Sequence, residues 1–490
     1  MHYIAAFDLG TTAIKGVLLS QEGKIFAEHS FNIHTSLGEN NEIEQNPEEW
    51  WEGVQSITHE WFSVHGVSSQ SIKAITFSGQ MEDVILIQEG ENTTSAILYS
   101  DNRANIEAEE INKKLPGLYE LTGNRITSSS PISKLLWLKK NSISNSDKRI
   151  HVVFSAKDYI IYKLTGSVVT DYTTAATSGF MNIESRKWET QLLSSLGIEQ
   201  FMLPELTSSE QEVGQVSAFG ANETGFCLHT PVLCGAGDAG ASTLGAGAIS
   251  EGDCYMYLGT TGWIAVPSKD HSPKDHGIFT LAHIIQELNI SIAPLLNVGN
   301  VHRWAVEAFI QSGNYADFED EVQKSPPGSN HLLFLPYVHG ERCPVQDSEA
   351  KGAFWGIGPK TKKSDFARAV LEGICFSLFQ IMQMLMQKNV GSITLIGGGA
   401  RSHSWCQLLA DLTNKTVRVP ANSEYLPSIG IAATAFQSLG WVEDYKEFVD
   451  QYIISSQSKL YVPNKRNNEI YKDQYKIYLK LYESMKKIYQ

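Results

Sequence analysis

Cysteine is scarce: six residues in 490 (Cys227, Cys234, Cys254, Cys343, Cys375 and Cys406), with no Cys-x-x-Cys pair. That excludes a disulfide scaffold and the common zinc and redox motifs. Cations are in deficit too. The chain has 39 Lys+Arg against 54 Asp+Glu, a net charge of −15, which argues against nucleic-acid and anionic-membrane surfaces, since both need clustered Lys/Arg. No apolar run approaches the roughly 18 residues that span a bilayer. Met1-His2-Tyr3-Ile4 lacks the basic and apolar segments of a signal peptide. No low-complexity tract is present. The expectation is a cytoplasmic protein with buried, reduced thiols, in which the Asn-x-Ser/Thr triplets at Asn92, Asn222, Asn289 and Asn414 are chance matches. At 42% hydrophobic and 19% charged residues the chain is neither disordered nor fibrous. Its length suits two large domains or three small ones.

What the chain does carry is a repeat. Tyr3–Phe7 reads as a strand, Asp8-Leu9-Gly10-Thr11-Thr12 as turn chemistry, Ile14–Leu19 as a second strand, and Gln21-Glu22-Gly23 as the turn into Lys24–Ile33. The pattern returns at Cys254–Leu258, Gly259-Thr260-Thr261-Gly262 and Trp263–Val266. Leu-Gly-Thr-Thr starts at residue 9 and again at 258, half the chain apart. Two similar α/β lobes are expected, 1–248 and 249–490, the second ending in a helical tail. Glycine lets the backbone approach a ligand closely, successive turn amides make an anion-binding hollow, and threonine hydroxyls add donors without charge. Two such turns across a cleft suit a polyphosphate; either one alone can simply turn a hairpin. Asp8 beside a phosphate calls for a cation, and Mg²⁺ takes one or two carboxylates plus phosphate oxygens and water. Otherwise Asp8 is an Asx-turn residue. Lys15 either reaches a phosphate or is a solvated strand lysine.

Gly235-Ala236-Gly237-Asp238-Ala239-Gly240 matches G-x-G-x-x-G between an apolar strand, Pro231–Cys234, and a small-residue helix. That is the context of a dinucleotide fingerprint, which would make an oxidoreductase. Against it, Asp238 would set a carboxylate on the pyrophosphate, and the next strand ends in the second Gly-Thr-Thr turn rather than in a ribose-binding acid. The glycines equally suit a crowded strand-to-helix junction that brings Asp238 to a cleft. A third glycine cluster, Gly397-Gly398-Gly399-Ala400, follows the strand Ser392–Ile396 and leads into a helix beginning Arg401-Ser402-His403. Such a junction suits a nucleotide on bare backbone.

Elsewhere, Pro47, Trp50 and Trp51 open an expected packing helix over Glu48–His65. Residues 141–148 and Pro326-Pro327-Gly328-Ser329 read as loops. Tyr471, Tyr475, Tyr478, Tyr482 and Met485 share one face of a final helix, which either docks on the body or makes a homodimer contact.

Taken together and in order, Asp8–Thr12, Gly235–Gly240 with Asp238, Leu258–Gly262 and Gly397–Asp411 resemble the FGGY family of carbohydrate kinases, as do Asn297-Val298-Gly299-Asn300 with Trp304 and Arg342-Cys343-Pro344. The resemblance implies two actin-like ATPase (RNase H-like) lobes with the active site in the intervening cleft, and small-molecule partners, a sugar and ATP with Mg²⁺. It implies that Gly10, Thr11, Thr12, Gly259, Thr260 and Thr261 grip the phosphates. Gly299, Gly398, Gly399, Ala400 and His403 would serve the nucleotide. Asp8, with Asp238, would hold Mg²⁺, and Asp238 would be the base that takes the proton of the sugar hydroxyl.

For the acceptor, the strand Ala74–Ser78 ends at Gly79-Gln80-Met81-Glu82-Asp83, and Ile97–Tyr99 at Ser100-Asp101-Asn102-Arg103. A polyol needs convergent donors and acceptors, which Gln80, Asp101 and Arg103 supply; Asp101 and Arg103 equally suit a mutual ion pair. Gly-Gln-Met resembles the xylulokinase branch, which continues His-Gly where Glu82-Asp83 stand and has Trp-Asn-Asp where Tyr99-Ser100-Asp101 stand. D-Xylulose is the expected acceptor, with Met81 and Glu82 also at the sugar. Gluconate is the rival, disfavoured if Glu82 faces the pocket. A nucleotide switch or ATPase of the same fold without a sugar acceptor is the reading from another class.

Overall fold

A computed structural model describes residues 1–490 except 39–41, 88–93, 142–149, 200, 272–276, 387–390, 422, 455–456 and 490. The Asn92 triplet and most of the loop expected over 141–148 therefore lie outside the described residues.

Two seven-stranded sheets share one path. In the first, Tyr3–Leu9 pairs antiparallel with Ala13–Ser20, which pairs with Ile25–Asn32; on its other side Tyr3–Leu9 runs parallel to Ile72–Gly79, which is followed by Pro231–Leu233. In the second, Cys254–Leu258 pairs antiparallel with Gly262–Ser268, which pairs with Asn289–Leu295. On its other side it runs parallel to Ser392–Ile396, then Thr416–Pro420. The repeated tetrapeptide thus marks a repeated topology.

The central strand Tyr3–Leu9 is an almost unbroken apolar run because both of its faces are covered. Ala5 and Phe7 pack with Trp50 and Trp61 of the outer helical layer. Ile4 and Ala6 face inward, to a cluster that also holds Tyr255, Ala265 and Ile396 of the second sheet. Helices Asp238–Gly245 and Leu426–Ser438 lie in that shared cluster. The cleft therefore has a floor made of both lobes.

The helix expected over Glu48–His65 runs Pro47–His59, with Asn46 as its cap, and widens into a π-turn at Glu60–Val64. Lys363–Leu385 is long and apolar enough to cross a membrane by length and composition, yet its face from Ala367 to Met382 is core of the second lobe. The final helix, Lys465–Tyr489, docks: Tyr471, Tyr475, Tyr478 and Tyr482 are all buried in the same core.

Two buried histidines are held neutral. His283 Nδ1 accepts the Ile285 amide at 2.8 Å, so Nε2 carries the proton and meets the Ala248 carbonyl at 3.0 Å. His302 sits among the rings of Tyr315, Phe318 and Trp405. Burial lowers both pKa values to about 4. The unfolded chain, with histidines near 6.5, then binds more protons than the folded one. The histidines' contribution to stability is full above pH 6.5 and falls as pH drops toward 4, by up to about 1.4 kcal/mol per pH unit for each group. In urea melts at pH 7.5 and 5.5, His302→Phe, which suits the aromatic cage, should lose less stability on acidification than the parent.

Candidate active site

The two Gly-Thr-Thr turns are built alike. The Gly10 amide bonds the Ala13 carbonyl, and the Gly259 amide that of Thr261. Among the described residues the amides of Thr11, Thr12, Thr260 and Thr261 make no hydrogen bond, leaving two turn tips with free donors. Behind the second turn, the first amides of helix Gly299–Phe309 are already used: Gly299 N–H donates to the Gly259 carbonyl and Asn300 N–H to that of Thr260. Gly299, expected to serve the nucleotide, lines the larger cavity described below while its amide braces the turn; a Cβ there would lie 2.2 Å from the Gly259 oxygen, so only glycine fits.

Asp238 opens the helix Asp238–Gly245 at the edge of the first sheet. The glycines around it make the junction: Gly235 has φ +66°, and a Cβ there would fall 1.9 Å from the Phe77 carbonyl. Burial, then the charge of Asp8, raises the Asp238 pKa to about 7. Burial also raises that of Asp8, against a 2.8 Å hydrogen bond from Ser78 Oγ to Asp8 Oδ1. Two buried carboxylates, one of which raises the proton affinity of the other, suit a divalent cation completed by phosphate oxygens and water. Among the described residues no group of three or more His, Cys, Asp and Glu could form a closed metal site.

Asp238 lines a cavity of about 240 Å³ with Thr11, Gln80, Met81, Glu82, Trp263 and Arg342. Thr11, expected at the phosphates, turns its hydroxyl to Gln80 Oε1 at 2.8 Å. Gln80 Nε2 donates to Gln45, whose own Nε2 donates to the Thr11 carbonyl. Gln45, which nothing in the local pattern singled out, thus ties the turn to the cavity wall. Glu82 faces the cavity; burial raises its pKa against the charges of Lys134 and Arg342. Lys134 Nζ donates to the Glu82 and Leu98 carbonyls.

Asp101 and Arg103 stand outside this lining. The Arg103 guanidinium holds both Asp101 oxygens and reaches Glu44 at 2.7 Å, while Asp101 also accepts the Ile43 amide. They form the mutual ion pair, which holds the wall through Arg103 Nε and Nη2. Lys15 reaches the Glu424 carbonyl at 3.1 Å, bridging to the second lobe.

A second cavity, about 720 Å³, is lined by Tyr257, Gly259, Thr260, Gly299, Gly398, Gly399 and His403, with Arg303 and Glu319. Glu319 accepts from Ser402 Oγ and the Ser404 amide, fixing the glycine loop to the helix Tyr315–Lys324. Ala400 is turned inward, buried in the core.

Two lobes of one topology, with glycine–threonine turns and a buried carboxylate in the cleft between them, define a phosphotransferase of the actin-like ATPase fold. The chain belongs to the FGGY family of carbohydrate kinases: that family's N-terminal domain matches residues 3–245 and its C-terminal domain residues 254–439. It is 30% identical to a xylulose kinase of Staphylococcus xylosus over 99% of this chain and all of that one. It is 31% identical to a gluconokinase of Bacillus subtilis (strain 168) over 86% of this chain and 85% of that one. A ligand-bound xylulose kinase from Lactobacillus acidophilus superposes with a TM-score of 0.90 at 29% identity, covering 99% of this chain and 98% of that one.

Proposed function

We propose that this enzyme transfers the γ-phosphoryl group of ATP to a hydroxyl of D-xylulose, giving D-xylulose 5-phosphate, with the lobes dividing near residue 248. The observation that carries the acceptor class is Glu82 in the cavity wall: its carboxylate accepts hydrogen bonds from a neutral polyol and repels a carboxylate ligand. The xylulose kinase relatives favour the ketose among neutral polyols.

In this reading Gly398, Gly399 and His403 seat the nucleoside. The amides of Thr11, Thr12, Thr260 and Thr261 hold the phosphates, and Gln80, Met81 and Glu82 hold the sugar. Asp238 accepts the hydroxyl proton, a role suited to a carboxyl whose proton affinity burial has raised toward neutrality. Asp8 and Asp238 would hold Mg²⁺, which neutralises charge on the phosphates. Closing the cleft excludes water, the competing acceptor.

Arg342 favours a second reading, gluconate, since it is the one cation lining the acceptor cavity among the described residues. A panel of pentuloses, hexuloses, pentitols and aldonates in a coupled ADP-release assay separates the two. D-Xylulose is expected among the best acceptors; strong gluconate turnover with none on ketoses overturns the proposal.

A further inference from the structure

Tyr257 and Trp263 stand opposite each other in the second hairpin, and their rings stack at 4.0 Å and 13°. Trp263 lines the acceptor cavity with Asp238. Tyr257 lines the nucleotide-side cavity with Gly259 and Thr260. The stacked pair is therefore the partition between the two cavities, and a phosphoryl group moving from one to the other passes its edge.

The hydroxyls on this face differ. Tyr255, two residues earlier on the same face of the strand, has its oxygen engaged by Trp263 Nε1 at 3.1 Å and Thr243 Oγ1 at 3.2 Å. The Tyr257 hydroxyl has no hydrogen-bond partner among the described residues. It lies over the backbone of the phosphate turn: a Cβ on Gly259 would come within 2.7 Å of it. A partition needs the ring alone, so this free donor at the turn is left for a ligand.

We propose that the Tyr257 hydroxyl donates a hydrogen bond to the phosphoryl group in transit between ATP and the acceptor. This goes beyond the proposed function and rests on its phosphoryl transfer, not on the identity of the sugar. The new bond joins the γ-phosphorus to the acceptor oxygen. The bond to the bridging oxygen breaks, its electron pair leaving with ADP, and the hydroxyl proton goes to Asp238. Tyr257 keeps its own proton throughout. Burial, with the nearby charges of Asp238 and Asp8, holds its pKa above the ordinary 10, so it remains a donor at every working pH.

Tyr257→Phe keeps the stack and removes only the donor. Losing one hydrogen bond to a charged group should lower kcat about 10- to 100-fold, with the ADP Kd and acceptor KM within about twofold. Binding of ADP–aluminium fluoride, a mimic of the phosphoryl group in flight, should weaken by the same factor when acceptor is present. A kcat within twofold of the parent overturns the proposal. So does an ADP Kd that weakens as much as the analogue, because that marks a wall residue. The assay uses whichever panel sugar is turned over best, so an error in the acceptor leaves this test intact. An error about Asp238 shows separately, as turnover by Asp238→Asn.

Discussion

Asp238→Asn should lose about 10³-fold in kcat, within the range that one general base supplies, while ADP still binds with unchanged affinity. The amide keeps the size of the carboxyl and the start of helix Asp238–Gly245, so the fold persists. It cannot take the hydroxyl proton. The proposed nucleotide contacts lie across the partition in the other cavity, which is why binding and turnover should separate. Titration calorimetry with ADP and single-turnover assays check both halves. Turnover near that of the parent removes Asp238 from the role of base; a matching loss of ADP affinity makes it a structural residue of the cleft.

The largest stability effect is expected from Lys157→Met. Lys157 Nζ lies 2.6 Å from Asp158 Oδ1 and 3.0 Å from Asp171 Oδ1, and all three side chains are fully buried. Asp171 also caps the helix Tyr172–Ala176, accepting the amides of Thr173 and Thr174 and the Thr174 hydroxyl. Without the ammonium two carboxyls stay buried with no cation, which costs about 3–5 kcal/mol. At about 2–4 °C per kcal/mol for domains of this size, the first lobe should melt roughly 6–20 °C lower by scanning calorimetry. Adding Asp158→Asn to Lys157→Met should recover part of the loss. A shift below about 2 °C means water reaches the carboxyls. The helix capped by Asp171 leads to Thr177 in the acceptor cavity, so the acceptor KM should rise as well.

How far the sequence reached differs from residue to residue. The strand–turn–strand of Tyr3–Ser20 and its copy at Cys254–Ser268 were legible because short apolar runs bounded by glycine turns are local signals. The order of the glycine clusters placed Asp238, and the G-x-G-x-x-G match proved to be backbone packing at Gly235. Gln45, Lys134 and Lys157 were not legible, since a buried glutamine or lysine looks like any surface one until its partner is known. The resemblance sets Thr11 at the phosphates, and the fold turns its hydroxyl to Gln80.

The sequence by itself therefore determined the duplicated lobe, the glycine–threonine turns and the carboxylate at the head of a helix. Each is written in a few adjacent residues. Only the tertiary structure decided which groups meet. It closed Arg103 on Asp101 and Glu44, and turned Thr11 to Gln80, 69 positions away. It also set the Tyr257–Trp263 stack between the cavities and brought Arg342 from the second lobe opposite Glu82 of the first. These pairings follow from two sheets packing on one shared layer of helices, and a linear pattern reports the period of a strand but not the surface it will face.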